Sequence, residues 1–371
     1  MKKINFFTTL LVAAGLIVSC SSEKRLDTIS LRESSTDALQ FKISDSEYVE
    51  GTRAITSTTN SIRGGHFNLV AKGPVGGTFN HKMLVASDGS KATIADATPP
   101  TYYWPVFVSP GTIDMKFIGL YPHKTTGWTA NTTTPSLITS TAYTVSTTFA
   151  STEDLLYLYK SVTSRSAAIP APITLEFQHA LVKVTFTLKL TSNSASSDVY
   201  VKGITLSNLK NTGTCTLNPT TTSATPATIW SSQGGAASVA LTGLTKSSQA
   251  TVFSAVNATT PANIFNSAWA SGDHYILMPV NDHPQNVAVS ITLNVAGTDY
   301  TKTITLPKND TELTTLGINT AAERDARKWY PGRWINYALE FNVDKEGGEL
   351  LFGGITVAPW GARKDIPIPL N

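Results

Sequence analysis

The sequence predicts an all-β protein made of two tandem antiparallel β-sandwich domains. Apolar residues recur with a period of two in five separated segments: Phe67, Leu69 and Ala71; Met115, Phe117, Gly119 and Tyr121; Val182, Val184, Phe186, Leu188 and Leu190; Val287, Val289, Ile291, Leu293 and Val295; and Ile335, Tyr337, Leu339, Phe341 and Val343. Successive side chains of a strand point to opposite faces, so each segment reads as a strand with one face buried and one wet, the habit of antiparallel sandwiches. Composition agrees. Charged residues make up 15% of the chain and hydrophobic ones 41%, while Thr and Ser fill runs such as Thr132-Thr133-Thr134 and Thr220-Thr221-Thr222; these residues favour strands and turns over helices. Helical signal is confined to residues 153–159, with room for a turn or two, and to residues 319–330, which carry Ala and charge without a long apolar stripe.

In chain order, Met1-Lys2-Lys3 is basic, residues 4–18 are apolar but too short to span a bilayer and stay, and Ile17-Val18-Ser19-Cys20 ends the segment. This resembles a bacterial lipobox, in which the Cys20 thiol is acylated and Cys20 becomes the new N-terminus; an ordinary secretory signal cut near Ser19 is the alternative. Residues 21–53 form a leader, opening with the polar tether Ser21-Ser22-Glu23-Lys24. Within it Leu39, Phe41 and Ile43 alternate with Gln40, Lys42 and Ser44, a half-buried strand where a plain leader needs none. The stretch from Glu50-Gly51-Thr52-Arg53-Ala54 to Arg63-Gly64-Gly65 has nothing to bury and is expected to be accessible to proteases. An N-terminal domain then spans residues 54–192. Near Gln178-His179-Ala180 the apolar phase slips from Leu175, Phe177 and His179 to Val182 and Val184, which a β-bulge or tight bend explains. The polar run at 191–197 places the domain border, and the C-terminal domain covers 193–371, with residues 218–237 read as a long loop inside it.

Composition and motifs exclude several functions. At 371 residues the chain has room for two domains, and it is too evenly polar to be a multispan transporter. A net charge of +3 with no Lys/Arg cluster argues against nucleic acid. There is no G-x-S-x-G elbow, H-E-x-x-H, paired C-x-x-C or glycine-rich phosphate loop, so no enzyme activity, cofactor or metal is assigned. Asp282-His283 before Pro284 reads as a structural turn, and the six histidines are otherwise scattered. With Cys20 lipidated, Cys215 has no partner for a disulfide. Tyr102-Tyr103-Trp104 and Trp128 have the flat amphipathic rings that stack on sugars, although Trp104 followed by Pro105-Val106-Phe107 reads better as the start of a core strand.

Four stretches carry a family resemblance. Leu175-Glu176-Phe177-Gln178-His179-Ala180-Leu181-Val182-Lys183-Val184 resembles the F-x-H-A-L-x-K-V strand of the Bacteroidales fimbrillins, the type V pilins and their lipoprotein relatives. Tyr103-Trp104-Pro105 with residues 117–122, residues 334–341, and Ile355-Thr356-Val357-Ala358-Pro359-Trp360 resemble further motifs of that family, in the expected order. The resemblance implies transthyretin-like sandwiches and a fimbrial function. It implies a lipoprotein precursor carried to the outer membrane and cell surface, where a trypsin-like protease cuts after an Arg. Loss of the N-terminal strand then opens a groove, and a strand from the C-terminal end of another subunit fills it.

Carried onto this chain, the removable strand is Leu39, Phe41 and Ile43, and the cut falls between Arg53 and Ala54, with Arg63-Gly64 as the rival. Two donors compete: the tail, with Ile366, Ile368 and Leu370 on one face, and residues 350–360. Pro367 and Pro369 alternate with the apolar residues of the tail, so the missing N–H groups lie on one edge. Expected partners are other pilin subunits, the maturation protease and the outer membrane. The alternative function is a surface lipoprotein that does not polymerise and binds host or dietary glycan through Trp104, Trp128 or Trp230.

Overall fold

The computed structural model describes residues 40–43, 62, 64–72, 78–86, 91–96, 115–124, 126–131, 137–140, 142–148, 153–162, 172–190, 199–217, 229–242, 262–263, 275–342 and 348–359. They form an almost entirely β structure, as the alternation predicts. The N-terminal sheet has eight strands in the order β10 (Ile173–Leu175), β1 (Phe41–Ile43), β4 (Ala92–Ile94), β3 (Thr78–Val85), β2 (His66–Lys72), β5 (Met115–Tyr121), β9 (Leu156–Val162) and β11 (Gln178–His179). The edge strands β10 and β11 are separated in sequence only by Glu176 and Phe177. Laid flat, eight strands at about 4.8 Å spacing would hold their edges about 34 Å apart, yet the three steps from Leu175 to Gln178 reach at most about 11 Å. The sheet therefore curls until its edges approach, enclosing Phe41, Phe67, Leu69, Met83, Phe117, Leu158 and Phe177.

The C-terminal half is a sandwich. One sheet runs β17 (Ala262–Asn263), β12 (Val182–Leu190), β21 (Arg333–Asn342), β22 (Glu349–Pro359), with β18 (Tyr275–Leu277) also paired to β12; the other runs β16 (Ala237–Leu241), β13 (Val199–Leu209), β19 (Ala288–Val295), β20 (Thr298–Thr305). Between them lies a core that includes Val184, Phe186, Leu206, Ile291, Trp329 and Tyr337. Two short helices follow β20. The first, α1 (Asp310–Thr315), starts where the Asn309 side chain accepts from Glu312 N–H; the second, α2 (Ala321–Ala326), starts with a reciprocal Thr320/Glu323 capping box. The sequence reading anticipates α2 and misses α1.

A fourth sheet stitches the halves together. Its order is β15 (Trp230–Gly234), β14 (Thr212–Leu217), β7 (Leu137–Ser140), β6 (Trp128–Asn131), with β8 (Tyr143–Thr144) also on β14. Strands from before and after the His179 segment thus share one ladder. A third core backs it, joining Val70, Ile118, Leu120 and Tyr157 to Cys215, Leu217, Trp230, Ile276 and Met278.

This third core corrects three expectations. β5 does not keep one face wet: Ile118 and Leu120 are as buried as Phe117, because the C-terminal half covers the outer face. Gly119 sits between them so close to β9 that a Cβ there would fall 2.7 Å from Leu158 Cδ2. Residues 153–159 form no helix; from Leu156 they are β9, where ladder bonds on both sides override the local propensity. Within residues 218–237, Trp230–Gly234 is strand β15 instead of loop. The phase slip at His179 marks a change of sheet. β11 belongs to the N-terminal sheet and β12 to the C-terminal sandwich, so the chain passes from one to the other at Ala180-Leu181.

Candidate strand-exchange site

The leader segment is built into the N-terminal sheet. β1 pairs in parallel with β10, Phe41 opposite Ile173 and Ile43 opposite Leu175, and antiparallel with β4 through Phe41 and Ala92. Ile173 N–H donates to Gln40 O at 2.8 Å. Peptide groups alternate along a strand, so those of Gln40 and Lys42 face β10 while those of Phe41 and Ile43 face β4. The side chains follow the same alternation. Phe41 and Ile43 are only 3% and 7% exposed, and the Phe41 ring meets Phe117 edge-on with centroids 5.6 Å apart. β1 joins β10 to β4, and its removal would break the curled sheet between those two strands. Leu39, the third residue of the expected removable strand, lies outside the described residues.

The walls of this seat are strands that the sequence shows only in part, through Leu175. β4 offers the small Ala92 and Ile94, and β10 offers Ile173 and Leu175, all buried. The signal was present in the short alternations Ala92-Thr93-Ile94 and Ile173-Thr174-Leu175, but three residues are too few to stand out. Just beyond β10, His179 Nδ1 lies 2.9 Å from Asp154 Oδ2, with side chains 0% and 3% exposed. Burial pushes the Asp154 carboxyl up; His179 and, less strongly, Lys183 pull it down, and Glu153 adds to the upward push. The Tyr157 hydroxyl donates to Gln178 Oε1 at 3.0 Å.

The rival donor segment is occupied at home. β22 pairs with β21 from Arg333–Pro359 to Asn342–Glu349, and the buried Arg327 guanidinium donates to Ile355 O in β22 at 3.1 Å and to Glu323 O at 2.7 Å. The tail residues Ile366, Ile368 and Leu370 lie outside the described residues, as do Cys20, Arg53, Ala54, Arg63 and Trp104. Trp230 is unavailable as a sugar platform. It is 3% exposed and its indole N–H donates to Ala180 O at 2.6 Å. Trp128 is half-buried and packs on Tyr143, which in turn packs on Trp230. His283 takes a structural place, its backbone N–H donating to Asp282 Oδ1 and its ring 2.8 Å from Asp310. Cys215 is a buried free thiol whose burial raises it well above its usual range. Among the described residues no group of His, Cys, Asp and Glu is placed to hold a metal ion, and no helix is long and apolar enough to cross a membrane.

A fimbrial protein from Bacteroides vulgatus superposes with a TM-score of 0.55 at 13% identity, covering 87% of this chain and 99% of that one, and shares its fold. A proposed cell adhesion protein from Bacteroides uniformis gives a TM-score of 0.43 at 15% identity over 88% and 100% of the two chains. A fimbrial assembly protein from Parabacteroides distasonis gives 0.38 at 9% identity over 86% and 98%. No curated protein matches the sequence. The profile of the fimbrillin-like family matches residues 52–360, most of the chain, and the protein is a member of that family.

Proposed function

We propose that this chain is a fimbrial subunit supporting cell adhesion. It is exported as an outer-membrane lipoprotein acylated at Cys20, matured by a trypsin-like protease between Arg53 and Ala54, and assembled by strand exchange with other subunits. One observation carries this reading: a strand from the leader, upstream of the cut, completes the N-terminal sheet between β4 and β10. Burying Phe41 and Ile43 stabilises the precursor by about 1.5 to 3 kcal/mol each. Cleavage turns that strand into a separate segment, and a strand from another copy can then take the place by main-chain bonds and alternate side chains. The family match starts at residue 52 and ends at residue 360, leaving β1 on one side and the tail on the other outside it.

The tail is the preferred donor, since β22 is engaged with β21 along its length. Ile366, Ile368 and Leu370 have the spacing of Leu39, Phe41 and Ile43. Pro367 and Pro369 remove N–H donors from one edge of the tail, but their carbonyls on that edge still accept. The neighbouring strand keeps its N–H groups bonded and forfeits only donors to its carbonyls, which tolerate loss better.

Arg53→Ala is expected to leave full-length monomers at the cell surface, while the wild type forms ladders on a gel. Ladders from Arg53→Ala with none from Arg63→Ala would move the cut to Arg63. Cys20→Ala is expected to release or mislocalise the precursor, because acyl chains supply membrane affinity at about 0.8 kcal/mol per buried methylene. Unchanged membrane fractionation of that variant would remove the lipid anchor from the scheme.

A further inference from the structure

β10 has β1 as its ladder partner among the described strands, and Ile173 and Leu175 have Phe41 and Ile43 as their cross-strand neighbours there. When β1 departs, both supports go together. What remains is the packing of Ile173 and Leu175 in the N-terminal core and the chain that leads from β10 to β11, which is fastened at several points. Phe177 meets Phe67 edge-on with centroids 5.2 Å apart. His179 Nδ1 lies 2.9 Å from Asp154 Oδ2 with both side chains buried. Ala180 N–H donates to Leu155 O at 2.7 Å, and Ala180 O accepts from the Trp230 indole. A buried polar pair of this kind adds little stability, since desolvation offsets most of the attraction; in some proteins such a pair instead selects one arrangement over its alternatives. Here the arrangement selected is that of residue 179, four residues from Leu175.

Resting on the strand-exchange reading above, we propose that the His179–Asp154 pair is the pin that keeps β10 in register while the seat is empty. His179 is then a positioning residue for the incoming strand. It acts through β10, one of the two walls between which the donor must fit. Without the pin, β10 has to be ordered again in the binding step. Fixing its three residues is expected to weaken strand uptake by at least about a hundredfold.

The test uses the full-length precursor, cut after Arg53 and kept dilute enough to stay monomeric, with a peptide of residues 37–45 as the probe. Peptide affinity is measured alongside hydrogen exchange of the β10 amides relative to those of β2 and β5. Cut wild type is expected to bind the peptide and to keep β10 nearly as protected as β2 when empty. Cut His179→Leu is expected to lose at least about two decades of affinity and to exchange selectively at β10, while in the uncut variant, where β1 holds β10, no selective exchange appears. His179→Asn, whose amide nitrogen lies nearly where Nδ1 does, is expected to recover most of the affinity. If His179→Leu does not fold, Asp154→Asn, which keeps the shape and removes the charge, replaces it in both assays. Wild-type affinity in cut His179→Leu overturns the pin and leaves strand exchange standing, as does a loss of protection spread evenly over β2, β5 and β10 in both forms. Failure of cut wild type to bind the peptide overturns strand exchange itself.

Discussion

Phe41→Asp in the uncut precursor is expected to open the N-terminal sheet without a protease. Phe41 is 3% exposed and packed edge-on against Phe117. Truncating a buried phenylalanine costs about 3 to 5 kcal/mol in lost transfer and cavity terms, and a carboxylate at that point adds a desolvation penalty. Against this, β1 has only three residues of ladder and two described core side chains, worth about 3 to 6 kcal/mol together. The substitution therefore removes the whole advantage of β1 lying in the sheet, while the cores of the C-terminal sandwich and of the shared fourth sheet do not involve it. The variant is expected to keep its mass, uncut at Arg53, and to elute from size exclusion as oligomers in which tails occupy the opened seats. Thr93→Asp, on the exposed side of β4, is the matched control and is expected to remain monomeric. A monomeric Phe41→Asp protein with a wild-type urea midpoint would show that β1 does not close the sheet.

The fold class was legible because long alternating segments report their own environment: Val182 to Leu190 and Ile335 to Phe341 appear as β12 and β21 where the period of two places them. The leader strand was legible for the same reason, since Phe41 and Ile43 alternate in an otherwise polar stretch. What the alternation does not report is which strand lies beside which. β12 and β21 pair in parallel, as do β1 and β10, although most of the sheets are antiparallel. Nor does it report a second buried face. Ile118 and Leu120 are apolar on the side a single sandwich would leave wet, and that was the available sign that something covers β5. Glu153-Asp154 looked like the polar start of a helix, whereas Asp154 is a buried partner placed just ahead of β9. A carboxylate that folding brings to a histidine 25 residues away leaves no local trace in the sequence.

That distant partnership sets the second large effect. In the uncut precursor, His179→Leu is expected to lower stability near neutral pH by about 3 kcal/mol, because it leaves the buried Asp154 carboxyl without the imidazole 2.9 Å from it. Of the groups acting on Asp154, burial is the strongest and raises it, His179 lowers it most, Lys183 lowers it less, and Glu153 raises it. Removing His179 leaves burial opposed mainly by Lys183. A carboxyl held above its unfolded value binds its proton more tightly in the folded state, so its cost is absent below the ordinary carboxylate range and grows as the pH rises through that range. The variant is therefore expected to approach wild-type stability in acid and to fall behind it as the pH increases, measured by urea midpoints followed through tryptophan fluorescence. The double variant Asp154→Leu/His179→Leu removes both polar groups from the site and is expected to recover most of the loss and to abolish the added pH dependence. If the double variant is no more stable than His179→Leu, the damage comes from the shape of the imidazole in its packing site and not from the stranded carboxylate.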